Sequence, residues 1–257
     1  MPSLPEPKLL EREAILLAVT RAASAAASGR DDAEAQRVLD GALFTFPIRF
    51  GCGPAGIQPQ GDAAAIPAAK TAPAAADRGA ANTPPEPLPV EPMSWRYDPA
   101  RDRLEVTATP DVDLTDAAVA TIAGTAYEAV EGFWIQRPWL LEAACPAAAP
   151  AAAVAQRASP SLAIAQFHAA EDSRTGRRDD RSYQSVATLP PEQARDLARG
   201  FDLVLSGRLR RLKDGKVINC IAAGADARPI CIVSAEIQKV ELKRGDSGAL
   251  LAEWSQG

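Results

Sequence analysis

Four cysteines and a single histidine are the side chains of this 257-residue chain best suited to specific chemistry. Cys220 and Cys231 frame the segment "CIAAGADARPIC", while Cys52 and Cys145 lie beside glycine or proline in "GCGP" and "ACP". Zinc sites favour close ligand pairs such as Cys-x₂-Cys, and redox pairs favour Cys-x-x-Cys. Neither spacing is present, so we expect no metal site and no cofactor. The even number of cysteines favours two disulfides over buried free thiols.

The segment before Cys220 predicts which cysteine forms a disulfide with it. Asp214-Gly215 between two apolar runs favours a two-residue hairpin turn. That turn sets three cross-strand pairs: Lys213 with Lys216, Leu212 with Val217, and Leu209 with Cys220. If Cys231 lies opposite Cys220 on the next strand, one sheet face becomes almost wholly apolar. This face holds Phe201, Leu203, Leu205, Leu209, Ile218, Cys220, Cys231, Val233, Ala235 and Ile237. Cys220 and Cys231 then form a non-hydrogen-bonded pair, whose Cα atoms lie about 4.5 Å apart, close enough for a disulfide.

Cys52 and Cys145 pair by elimination, and two bridges indicate an oxidising compartment. The opening "MPSLPEPKLLEREAILLAV" is not a signal peptide, because its acidic residues replace a basic region and its apolar run is short. We therefore expect a periplasmic or secreted protein whose signal peptide was removed. A cytoplasmic protein with reduced cysteines remains the alternative. No apolar run reaches the roughly 18 residues of a transmembrane helix.

His168 is followed closely by Glu171 and Asp172, and a histidine beside an acid can act as a general base. A hydrolase would also need a nucleophile, and the chain has no Gly-x-Ser-x-Gly elbow. A structural or solvated histidine is the favoured interpretation, so no catalytic residue is predicted.

The loop "EDSRTGRRDDRSY" is the best candidate for a polar binding site. Its side chains, with the preceding His168, form the predicted ligand-binding set: His168, Arg174, Arg177, Arg178, Arg181 and Tyr183. Arginine forks bind carboxylate or phosphate groups well, which favours a small anionic ligand. The alternative is a loop whose mixed charges neutralise one another while it packs on the body of the protein.

Three other patterns favour structural roles. The basic set Arg208, Arg210, Arg211, Lys213 and Lys216 is typical of a solvated sheet face. No aromatic residues are interleaved with it and the net charge is −5, so we expect no nucleic-acid partner. The aromatic cluster Phe133, Trp134 and Trp139 is typical of a core, with a ligand groove as the alternative. The "RGD" at 244–246 is explained by a turn.

Periodicity predicts the elements that carry these residues. We expect a helix over 8–27, a second helix from Asp31 to Leu39, and a strand from Ala42 with Pro47 at an edge or bulge. The Ala/Pro-rich segment 54–92 is predicted to be a flexible loop or linker. A hairpin follows at 94–110, then a helix over 117–130, further strands near 133, 162–167 and 183–186, and a short helix at 190–200.

These patterns predict an α+β fold: an N-terminal helix packed on a mainly antiparallel β structure, either a sandwich or an open barrel. The predicted divisions are 1–53 (helix and strand), 54–92 (linker) and 93–257 (β body), ending in a meander over 201–257. The leading hypothesis is a non-enzymatic binding or structural module of the bacterial cell envelope. Its partner would be an envelope protein or a small anionic ligand. An extracytoplasmic hydrolase using His168 and a cytosolic adaptor or regulatory protein are the alternatives.

Overall fold

The computed structural model describes residues 8–52, 92–136, 143–145, 161–172, 177–178, 181–222, 224 and 227–255. The predicted linker up to residue 91, Trp139 and Arg174 lie outside these ranges. The fold is of the α+β class, with two sheets and short helices. The boundaries predicted for the three parts of the chain stay predictions.

Eleven strands and four helices make up the described part of the chain. The strands are β1 (Leu9–Leu10), β2 (Leu43–Cys52), β3 (Met93–Asp98), β4 (Arg103–Ala108), β5 (Ala129–Trp134), β6 (Leu162–His168), β7 (Tyr183–Thr188), β8 (Arg199–Leu209), β9 (Ile218–Ile221), β10 (Ile230–Arg244) and β11 (Leu250–Ser255). The helices are α1 (Arg12–Ala27), α2 (Ala33–Leu39), α3 (Ala117–Ala123) and α4 (Pro191–Ala194), with a 3₁₀ turn at Arg195–Ala198.

The larger sheet has the strand order β1-β2-β8-β10-β6-β5, and β9 and β11 also pair with β10. The smaller sheet has the order β3-β4-β7. Pairing is antiparallel except between β1 and β2 and between β6 and β10. In β2, Pro47 pairs with Val204 of β8, while β1 reaches only as far as Phe44. Of the two predicted positions for Pro47, an edge or a bulge, the edge is confirmed within the described residues, where β8 is its only neighbouring strand.

Strand β10 organises the larger sheet. Its first residues, 230–234, lie between β9 and β6, and its later residues, 239–243, lie between β8 and β11. Strands β8 and β9 therefore follow one another along the same edge of β10 instead of pairing together. The prediction of a consecutive meander, with Leu209 opposite Cys220, is wrong: Leu209 pairs with Ala235.

The turn between β8 and β9 explains part of this error. The N–H of Gly215 donates to the carbonyl of Leu212, and the N–H of Leu212 donates to the carbonyl of Lys216. These bonds close a three-residue loop with Gly215 at φ +85°, so Leu212 lies opposite Lys216 and not Val217. The loop makes a local hairpin too short to hold β8 and β9 together, and both strands pair with the longer β10.

The predicted apolar face is nevertheless present, because β8 and β9 both pair with β10 and are aligned by it. Its members from Phe201 to Ile237 lie in one core cluster, with Cys220 partly buried against it. Residues of α1, β2, β3 and β4 join the same cluster. A second cluster on the opposite face of β5, β6 and β10 holds Val119 and Ala123 of α3, with Trp134, Phe167 and Ile232.

Aspartate side chains cap the N-termini of α2 and α3. The side chain of Asp32, one residue beyond the predicted Asp31, accepts the N–H of Ala35 and begins α2. Asp116 caps α3 as expected, accepting from Ala118 and Val119. The prediction that this helix continues to Val130 is wrong: Gly124 takes φ +56° and ends it, and strand β5 follows at Ala129.

Candidate functional site

Two disulfides are present, as predicted. Cys220 and Cys231 are opposite residues of β9 and β10, with Cα atoms 4.0 Å apart. The N–H of Cys231 points away from β9 and donates to the carbonyl of Ser161. Cys231 and Cys220 therefore form a non-hydrogen-bonded pair, as expected. Cys52, at the end of β2, is bonded to Cys145, with Cα atoms 5.7 Å apart. The chain therefore has no free cysteine.

Among the described residues, a concave site lies where the parallel strands β6 and β10 separate. Their pairing ends at Ala165 and Ser234, and β11 joins β10 only from Lys239. In the gap, the side-chain oxygen of Gln166 accepts the N–H of Ile237 at 2.8 Å. A cleft of about 600 Å³ opens here, within the usual range of small-ligand sites. Crevices at the carboxyl ends of separating strands are common ligand positions in α/β sheets.

Three chain segments supply the walls of this cleft. The end of β6 and the loop after it give Gln166 to Ala169 with Glu171 and Asp172, while the connection after β8 gives 210–213. Strand β10 gives 234–236, and Tyr127 completes the lining. The rings of Tyr127 and Phe167 pack with centroids 5.2 Å apart, and the Tyr127 hydroxyl accepts the N–H of Lys213.

Ion pairs join the charged side chains at the rim. Lys213 Nζ lies 2.7 Å from Glu171 Oε1, and this bond lowers the pKa of Glu171 and raises the pKa of Lys213. Arg210 Nη2 lies 2.6 Å from Glu236 Oε2. All four side chains are at least 40% exposed, so these pairs contribute little to stability.

Ser234 lies at the floor of the cleft and is only 3% exposed. Its backbone N–H donates to the carbonyl of Val217 and its carbonyl accepts from Arg210. Ser234 therefore brings a largely buried polar residue to the lining of the cleft.

His168 lines this cleft, as does the predicted neighbour Asp172. Arg177 lies behind it and is buried: its guanidinium donates to Glu128 at 2.6 Å and to the carbonyls of Ala169 and Asp172. These bonds tie the start of the loop to the carboxyl end of β6. Arg177 thus supports the cleft wall from the rear.

The remaining described members of the predicted ligand set lie away from the cleft. The Arg178 guanidinium stacks on the ring of Tyr183 at 4.0 Å and donates to the carbonyls of Arg181 and Ser182. Arg181 donates to the carbonyls of Arg177 and Arg178. Tyr183 is buried, which raises its pKa to about 12. The binding role assigned to these residues stays a prediction.

The other sequence patterns have clear structural positions. Arg208 donates to the carbonyl of Gly41, whereas Arg210, Arg211 and Lys213 line the cleft beyond the end of β8. Phe133 and Trp134 are buried on opposite faces of β5, in the two core clusters. Within the 244–246 turn, Arg244 is 8% exposed and is paired with Asp246 through two hydrogen bonds, so this arginine is not presented to a partner.

Several cleft residues were not predicted from the sequence: Tyr127, Gln166, Ser234 and Glu236. Only Gln166 gave a signal, since it is a polar residue inside the apolar run "LAIAQF". No family model matches the chain, and no match was found among curated proteins or solved structures. Among the described helices, none has the length and apolar character needed to cross a membrane.

Proposed function

We propose that this protein is a non-enzymatic binding module of the bacterial periplasm or cell exterior, and that it takes a small ligand in the cleft between β6 and β10. The observation that carries the proposal is the cleft itself, with the buried Ser234 in its lining and its charged rim. Two disulfides among four cysteines support an oxidising compartment.

Of the two predicted architectures, a sandwich and an open barrel, the one proposed with this function is the sandwich. The core cluster shared by residues of both sheets supports it, as does the presence of α1 residues in that cluster. Such a scaffold holds binding loops on rigid strands, where functional residues often concentrate. The cleft walls at 166–172 and 210–213 are segments of this kind.

A thermal unfolding screen tests the proposal. The panel contains inorganic phosphate, small dicarboxylates, sugar acids, neutral sugars, free amino acids and dipeptides. A compound at a hundred times its dissociation constant stabilises a protein by about 2.7 kcal/mol, which for this chain length raises the Tm by roughly 5–10 °C. We expect at least one compound to do so.

Matched variants make the screen specific to the cleft. The double variant R210Q/K213Q should lose the shift, because it removes two rim cations. Arg37→Gln should keep it, since Arg37 pairs with Glu34 on α2, away from the cleft. A panel without any stabilising compound, or a shift that is equal in the cleft variant, would overturn the proposal.

An extracytoplasmic hydrolase is the second candidate, favoured by the position of His168 in the cleft near Glu171 and Asp172. If a turnover assay detects hydrolysis of an ester or amide, His168→Ala should abolish it. Unchanged turnover in that variant would remove His168 from the mechanism.

A further inference from the structure

The basic and acidic side chains around the cleft come from different chain segments. The three basic side chains all follow β8 in one short segment, while the acidic ones come from the loop after β6 and from β10. They are Arg210, Arg211 and Lys213 against Glu171, Asp172 and Glu236. A purely anionic ligand would be repelled by the acids, and a purely cationic ligand by the bases. A ligand with one charge of each sign can pair with one acidic and one basic side chain of the rim.

The existing ion pairs can exchange with such a ligand at little cost. Glu171 is 67% exposed and Arg210 is 56% exposed, so water already competes for both side chains. Glu171 pairs with the flexible side chain of Lys213, and Arg210 pairs with the half-exposed Glu236. An ammonium group can replace Lys213 at Glu171, and a carboxylate can replace Glu236 at Arg210.

The floor of the cleft adds a polar contact on the basic side. The N–H of Arg210 donates to the carbonyl of Ser234, so the Ser234 hydroxyl lies close to the start of the basic segment. Ser234 is buried and lines the cleft. It can donate to a carboxylate held by Arg210. The packed rings of Tyr127 and Phe167 give an apolar surface for the ligand's carbon atoms.

We infer that the cleft binds a small zwitterion with a free ammonium and a free carboxylate, the class of free amino acids and short peptides. The ammonium lies beside Glu171 and Asp172, and the carboxylate lies beside Arg210 and the Ser234 hydroxyl. This inference rests on the proposed function and replaces the small anionic ligand predicted from the arginine loop.

Four forms of one dipeptide test the inference by isothermal titration calorimetry. They are alanylphenylalanine with both termini free, its N-acetylated form, its C-amidated form and the doubly blocked form. The free dipeptide should bind most tightly. Blocking either terminus should weaken binding by about tenfold, because each block removes a charge-assisted hydrogen bond.

Two variants should each remove the preference for one free terminus of the dipeptide. With Glu171→Gln, the free and N-acetylated forms should bind with similar affinity. With Arg210→Gln, the free and C-amidated forms should bind with similar affinity. Arg37→Gln on α2 is the matched control and should keep the full order.

The outcomes separate this inference from the function it deepens. If the N-acetylated form binds as tightly as the free form, the ligand is an anion and the zwitterion is wrong, although the binding function stands. The zwitterion is equally wrong if no form binds and no free amino acid or dipeptide raises the Tm, while a sugar, phosphate or other panel compound does. If no form binds and no panel compound stabilises the protein, both proposals fail.

Discussion

The surroundings of the Asp111 carboxyl group disfavour its charged form. Burial raises its pKa to about 6, although the N–H of Trp134 donates to it at 2.8 Å and favours the charged form. The folded-state pKa therefore lies above the unfolded value of about 3.9. Between these two values the folded state binds more protons, so the free energy of unfolding should fall as the pH rises from about 4 to 6.

Asp111→Asn tests this dependence, because the amide oxygen can still accept from Trp134 and carries no charge. The variant should be more stable than wild type at pH 7, by up to about 3 kcal/mol. The part of the pH dependence of the free energy of unfolding that Asp111 causes between pH 4 and 6 should disappear in the variant. Urea unfolding across this pH range measures both effects, with Asp113→Asn as the exposed control. Lower stability at pH 7 with an unchanged slope would contradict the prediction.

Gln36 ties α2 to the free side of β9. Its side-chain oxygen accepts from the N–H groups of Val217 and Ile218, and its amide group donates to the carbonyl of Ile218. Gln36→Ala should lower the free energy of unfolding by about 1–3 kcal/mol, because it leaves partly buried backbone groups unsatisfied. Gln238→Ala, at an exposed position in β10, is the control. Equal stability of the two variants in urea unfolding would show that the bonds to β9 are unimportant.

Pairing between β8 and β10 depends on Gly207, which lies opposite a β-bulge in β10. The register shifts between Ile237 and Lys239, and a Cβ at Gly207 would meet the carbonyl oxygen of Glu236. At Gly215 a Cβ has open space, and only the positive φ resists substitution. Gly215→Ala should cost about 1 kcal/mol, and Gly207→Ala distinctly more. Chemical denaturation of both variants gives the comparison, and the reverse order would contradict the register.

The two disulfides close loops of very different length, with 93 and 11 residues of sequence separation. In the chain-entropy account, removing Cys52–Cys145 by double alanine substitution should cost about 4.5 kcal/mol. Removing Cys220–Cys231 in the same way should cost about 3 kcal/mol. Thermal unfolding of C52A/C145A and C220A/C231A measures the two losses. A lower Tm for C220A/C231A than for C52A/C145A would contradict the chain-entropy account.

Local patterns predicted most strands but not how β8, β9 and β10 pair. Alternating apolar residues and turn residues locate the strands. The requirement that neighbouring strands share one apolar face places Cys220 opposite Cys231. The rule that neighbouring strands form a hairpin failed for β8 and β9, because the 15-residue β10 offers both of them a longer partner. Strand choice depends on contacts far apart in the sequence, which a local turn does not determine.

The cleft could be predicted only in part for a related reason. His168, Glu171 and Asp172 are close in sequence and form a recognisable polar group. Ser234 and Arg210 join them through the parallel pairing of β6 with β10, which no local pattern indicates. The arginine loop, by contrast, is visible in the sequence, but the hydrogen bonds of its described arginines go largely to backbone carbonyls.

At the scale of the whole molecule, the central proposal is a disulfide-bonded binding module that works outside the cytoplasm. Counting thiols on the unreduced, denatured protein, with mass mapping of its cysteine peptides, tests this claim most directly. We predict no free thiol and two linked peptide pairs, Cys52 with Cys145 and Cys220 with Cys231. Four free thiols in protein recovered from its native compartment would contradict the account.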